Sequence, residues 1–216
     1  HYSETHDNPR LAARGESWSR LRNRLCALSS VNGGYGFTCG VEWLAAEKIV
    51  VHQRTGLRWG QEPNLVEELA RLNDLLSEHP CFFDGAKLRR MSPPDSPVFA
   101  LERVSGTGED RVVVLVNTRI DRPESITIPE EEWKIAGGLG IELLQPQGPE
   151  IERRGPGGIQ LRLAPGAAHC LAGSPVPRGE EGRAYRQRMA IQAWVISALW
   201  RSGCPVLVEQ DLMNAL

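Results

Sequence analysis

The sequence predicts an α/β region, then an all-β region, then a terminal helix. Three observations carry this. Up to Pro80, amphipathic helical stretches alternate with short apolar runs bounded by turn residues. Beyond Pro97 the pattern changes to short strands separated by Gly, Pro and Asp or Asn clusters. After Gly182 a helical pattern returns, apolar almost all round in its second half.

The elements follow in order. Tyr2 to Thr5 reads as the end of a strand, closed by a turn at Pro9. Leu11 to Arg14 suits one helical turn, broken at Gly15. Ser17 is the expected N-cap of a helix whose stripe is Trp18, Leu21, Leu25 and Leu28, with Arg20, Arg22, Asn23 and Arg24 on the other side. Asn32, Gly33 and Gly34 end it. Tyr35 to Trp43, small and apolar, reads as a strand buried on both faces. Leu44 to Asn64 is a long loop. Pro63 is expected to open a second helix, striped by Leu65, Leu69, Leu72 and Leu76 and stopped by His79 and Pro80.

Met91 to Pro97 is an expected linker and domain boundary. Strands are expected at 98–103, 111–117, 125–128, 141–144, 159–163 and 168–171, a spacing that suits an antiparallel β-sandwich. Residues 174–182 form a second linker, and 183–201 a helix within a 183–216 tail. Its apolar side chains from Met189 to Trp200 cannot all face one neighbour at 100° per residue. The tail helix is therefore expected to dock on a further domain or a second copy, and Cys204 to Glu209 to begin another strand.

Composition narrows the function. The 216 residues are 41% hydrophobic and 24% charged, ordinary for a soluble globular protein. A net charge of -2 argues against nucleic acid as a partner. Five scattered cysteines without metal spacing read as reduced thiols in a cytoplasmic protein, with no metal and no cofactor expected. Neither a signal peptide nor a membrane span is read, so no membrane partner is expected. The first residue is His and falls within a strand, so the chain is expected to be a piece of a longer protein.

The stretch that speaks to chemistry is Glu4, Thr5, His6, Asp7, Asn8, Pro9 and Arg10. It resembles the fourth conserved region of the α-amylase family (glycoside hydrolase family 13), usually Glu-Asn-His-Asp-Asn-Pro-Arg. Six of seven positions match, and Thr5 replaces the usual Asn. In that family the region ends strand seven of a (β/α)8, or TIM, barrel. The resemblance makes Asp7 the catalytic carboxylate that stabilises the transition state. His6 becomes a ligand of sugar hydroxyls, and Arg10 a substrate-binding residue or the holder of the strand-end turn. Tyr35 to Trp43 resembles barrel strand eight, with Gly40, Val41 and Glu42 as its Gly-x-Glu ending, although Tyr35 stands where Pro is common. Glu42 then lies at the active-site rim, contacting sugar or serving as a structural carboxylate paired to an Arg. Trp59, in a loop with Lys48, His52, Arg54 and Gln61, either stacks on sugar or plugs the barrel end. His79 and His169 read as structural.

The fold the resemblance implies is the C-terminal part of a barrel (1–92, the last two strands and helices) followed by a β-sandwich (98–173). The function it implies is cleavage or transfer of α-1,4-glucan units, from glycogen or malto-oligosaccharides, by a retaining mechanism. Residues 42–48 are similar to a loop of the maltosyltransferases of that family. In the family the nucleophile and general acid precede Asp7, so the chain alone is expected to be inactive. Two other classes stay open: a non-catalytic glucan-binding or regulatory domain, and a fusion in which the tail docks on a glycosyltransferase.

Overall fold

The computed structural model describes residues 1–50, 52, 59–135 and 140–203. It is a mixed α/β protein with antiparallel sheets and a C-terminal helix. After a 3-10 turn at Leu11–Arg14 come α1 (Glu16–Leu28) and α2 (Val66–Glu78), then a second 3-10 turn at Pro80–Phe82. β1 (Lys87–Arg90), β2 (Val98–Val104), β3 (Arg111–Asn117) and β4 (Glu124–Ile128) follow, and α3 (Glu130–Ile135) interrupts the strands. β5 (Ile141–Glu142), β6 (Glu150–Gly155), β7 (Gly158–Leu163) and β8 (Ala168–Ala172) complete the sheets, and α4 (Gly182–Arg201) ends the described elements. His1 to Gly179 form one unit. A second unit begins at Glu180 and holds α4, where Arg188 pairs with Glu180 at 2.9 Å. Among the described residues no helix is long and apolar enough to cross a membrane.

One sheet runs β1-β2-β3-β8-β5 and the other β4-β7-β6. The central strand β3 shows why the first sheet is buried twice over. Its residues alternate between faces at a period of two. Val112, Val114 and Val116 join Leu101 of β2 and Cys170 of β8 in a core with Leu21 and Leu28 of α1 and Leu69, Leu72 and Leu76 of α2. Val113 and Leu115 join Val98 and Ala100 in a second core with Ile128 of β4 and Ile159, Leu161 and Leu163 of β7. Burying such side chains contributes about 1.5–3 kcal/mol each. The layers are therefore helices, five-stranded sheet and three-stranded sheet.

Several expectations are corrected. The stretch 35–43 is a half-buried run of turns with one bridge, not a doubly buried strand. Its amides are satisfied locally: Val41 donates to the Thr38 carbonyl, and Trp43 and Ala45 both donate to that of Gly40. α1 starts at Glu16 after Gly15, whose φ of 100° no β-carbon-bearing residue adopts easily, so Ser17 is inside the helix. Asn23, expected on the polar side, is fully buried; Tyr35 Oη donates to its Oδ1 at 2.5 Å and its own amide donates to the Ser19 carbonyl. Pro63 lies before α2 rather than in its first turn, and Asn64 Oδ1 accepts from the Val66 amide.

Residues 91–97 form the loop of the β1–β2 hairpin, in which the Met91 amide donates to the Ala100 carbonyl. The sequence reading missed β1, β6 and α3. Both missed strands lie at sheet edges and are charged, which hides a strand's alternation. Three glutamates open α3, where carboxylates suit a helix N-terminus. The expected strand at 204–209 lies outside the described residues.

Candidate functional site

Residues 1–4 run beside residues 34–38. Tyr2 and Gly36 form a parallel bridge: the Gly36 amide donates to the His1 carbonyl at 2.9 Å, and the Ser3 amide to the Gly36 carbonyl at 3.1 Å. Position 36 admits only glycine without rearrangement, because a β-carbon there would come within 2.8 Å of the Tyr2 ring. Thr38 Oγ1 donates to the Glu4 carbonyl at 3.1 Å and extends the contact by one more residue.

Beyond Glu4 the chain turns. The Asn8 amide donates to the Thr5 carbonyl at 3.2 Å, and Asn8 Nδ2 to Thr5 Oγ1 at 2.8 Å. This makes His6 and Asp7 the two central residues of a β-turn. Their side chains point outward, 55% and 80% exposed, with His6 Nε2 3.3 Å from Asp7 Oδ1. A carboxylate and an imidazole side by side on an open turn can offer an acceptor and a donor to vicinal hydroxyls.

The base of the turn is buried. Glu4 Oε1 faces Arg10 Nε at 2.7 Å, with both side chains at most 1% exposed. Glu4 Oε2 accepts from the Leu11 amide at 2.6 Å, and Arg10 Nη2 donates to the Cys39 carbonyl at 3.1 Å. Burial raises the Glu4 carboxyl, and the Leu11 amide and Arg10 guanidinium draw it part of the way back. Arg10, expected either to contact substrate or to hold the strand-end turn, is turned inward at the base of that turn. Glu4 had no assigned role. The available signal was a Glu and an Arg of opposite charge flanking a Pro-containing turn.

The remaining expected residues do not join the turn in one contact set. Glu42 Oε2 accepts from the Gly40 amide at 2.8 Å, so its carboxylate closes its own turn, with no arginine partner among the described residues. Trp59 is 63% exposed and meets Trp43 edge to face with centroids 6.4 Å apart. Gln61 Nε2 donates to the Trp43 carbonyl at 2.6 Å. His52 is exposed, and Arg54 lies outside the described residues. An open groove of about 400 Å³ runs behind the turn, lined by Tyr2, Thr5, Asn8, Arg14, Trp18 and Arg22. Arg14 stacks over Trp18 at 3.8 Å. His6 and Asp7 stand outside that groove.

His79 and His169 are held in the fold. His79 Nδ1 accepts from the Cys81 amide at 3.3 Å, and His169 Nδ1 lies 2.8 Å from Glu142 Oε2. Among the described residues no three His, Cys, Asp or Glu side chains are grouped to hold a metal ion. No protein-family model matches the chain, and no curated protein matches it.

Proposed function

We propose that this chain is the C-terminal part of an α-amylase-family enzyme that cleaves or transfers α-1,4-glucan units. The observation that carries the reading is the turn from Glu4 to Arg10: a six-of-seven motif match in which His6 and Asp7 stand exposed at the end of a segment bridged in parallel to residue 36. Parallel neighbours that end in functional side chains are what barrel order requires. On this reading α1 and α2 are the last two barrel helices, and the two sheets are the sandwich that follows.

The chemistry follows from the transition state. A retaining glycosidase uses a nucleophilic carboxylate and an acid about 5 Å apart, and positive charge grows at the anomeric carbon. In the family those two groups lie on earlier strands. Asp7 contributes a fixed negative charge and holds sugar hydroxyls, and its benefit is greatest when that positive charge develops. His6 supplies a directional hydrogen bond. Water or a sugar hydroxyl can resolve the covalent intermediate, giving hydrolysis or transfer.

The test is Asp7→Asn in the intact enzyme, which preserves shape and removes charge. We expect kcat to fall by about 10²–10³-fold, the usual range for losing one transition-state contact, with KM changed far less. An unchanged kcat removes Asp7 from the mechanism. A second reading, a non-catalytic glucan-binding domain, draws on the exposed Trp59 set against Trp43. It requires malto-oligosaccharide to quench tryptophan fluorescence in a protein without turnover.

A further inference from the structure

The turn that carries His6 and Asp7 is closed at its base by a buried carboxylate. Glu4 stands at its entry. Its two oxygens reach the exit: Oε1 faces Arg10 Nε at 2.7 Å and Oε2 accepts from the Leu11 amide at 2.6 Å. Arg10 then reaches the neighbouring segment through the Cys39 carbonyl, and Thr38 returns a bond to the Glu4 carbonyl. Entry, exit and adjacent segment are thus closed around one ion pair, while the tip stays open to solvent. Among the described residues, the Thr5–Asn8 bonds alone brace the tip itself. Burying a guanidinium and a carboxylate gives little net stability, since desolvation offsets most of the attraction. What such a pair supplies is a fixed geometry, because Glu4 divides its two oxygens between Arg10 and the Leu11 amide while the guanidinium reaches on to the Cys39 carbonyl.

The geometry points to Glu4 and Arg10 as positioning residues that set the orientation of the His6–Asp7 pair. The functional part of this inference rests on the reading of that pair as sugar-facing. Neither residue touches the exposed tip. They act by fixing where the tip stands relative to residues 36–39. Glu4→Gln is the informative change, because it keeps the shape and an oxygen for the Leu11 amide and removes only the charge. Arg10→Lys keeps the charge and removes the fork.

The experiment records amide hydrogen exchange and the side-chain resonances of His6 and Asp7 in the 216-residue chain and both variants. In Glu4→Gln the Leu11 and Asn8 amides should exchange roughly tenfold faster, the scale of a charge-assisted hydrogen bond reduced to a neutral one. The His6 imidazole nitrogens and the Asp7 carboxyl carbon should shift, while His79 and His169 keep their resonances. Arg10→Lys should give the same changes at smaller amplitude. If His6 and Asp7 keep their resonances in both variants, the pair does not position them. Equal disturbance of His79 and His169 would mean that the pair only supports the fold, and would also overturn the proposal. An unchanged kcat for Asp7→Asn bears on the sugar-facing reading alone.

Discussion

Arg103 has its whole side chain in the protein interior, on the β2 face that meets α1. It has four carbonyl acceptors and no carboxylate contact within ion-pair distance among the described residues. Nε donates to the Cys81 carbonyl, Nη1 to those of Leu28 and Ser30, and Nη2 to that of Val31, all between 2.7 and 3.0 Å. Its guanidinium also lies 4.2 Å from the centre of the Phe82 ring. The carbonyls that end a helix have no partner within it and carry partial negative charge, so a cation is the natural group to meet them. Burial pulls the Arg103 guanidinium down to about 10, still protonated at neutral pH. Arg103→Met would leave those carbonyls buried and unpaired, and we expect a loss of roughly 3 kcal/mol. Arg103→Lys should lose about half as much, since an ammonium cannot reach four acceptors laid out for a fork. Urea midpoints measure both, and equal midpoints for wild type and Arg103→Met would refute the role. No local pattern marks this arginine, because its partners lie in two separate segments upstream.

At the level of elements, α2 ends on a titrating group. His79 is buried at the junction with the 3-10 turn, and its Nδ1 takes the Cys81 amide, which requires an unprotonated Nδ1. Burial lowers its pKa from 6.5, Asp110 opposes that and Arg103 adds to it. The folded state therefore binds this proton less readily than the unfolded state does. The contribution of His79 is complete above the unfolded value and is lost as pH falls below it. Stability should drop as pH falls below about 6.5, and the drop should shrink in His79→Asn, whose side chain can still accept from the Cys81 amide. An identical pH slope in both proteins would show that His79 is not the group responsible. Legibility also varies by element. α1, α2, α4, β3 and β7 stand close to where periodicity places them, since each has apolar residues on a face that is buried or repeats at its own spacing. β1 and β6 are charged edge strands whose pairing comes only from a neighbour.

Across residues 1–179, two cores share one sheet. β2, β3 and β8 give one face to α1 and α2 and the other to β4 and β7. Removing either layer exposes the opposite side of strands the other layer needs, so these residues should unfold together. The slowest amides of α1, α2, β4 and β7 should show opening free energies within about 1 kcal/mol of each other. Opening of α1 and α2 well below that of β4 and β7 would mean two independent domains. By itself the sequence determined which stretches could be helix or strand, because propensity and periodicity are local. It also determined that the strand end stops before Pro9, a residue that cannot donate to a neighbouring strand, while the turn itself closes one residue earlier through Thr5 and Asn8. Tertiary structure alone decided that residues 39–43 turn instead of extending the bridge at Gly36, since a strand's amides need a partner alongside. It also decided that Asn23 is buried and that Glu4, Arg10 and Arg103 point inward. A buried polar group is tolerated only where its partners converge, and those partners come from distant parts of the chain.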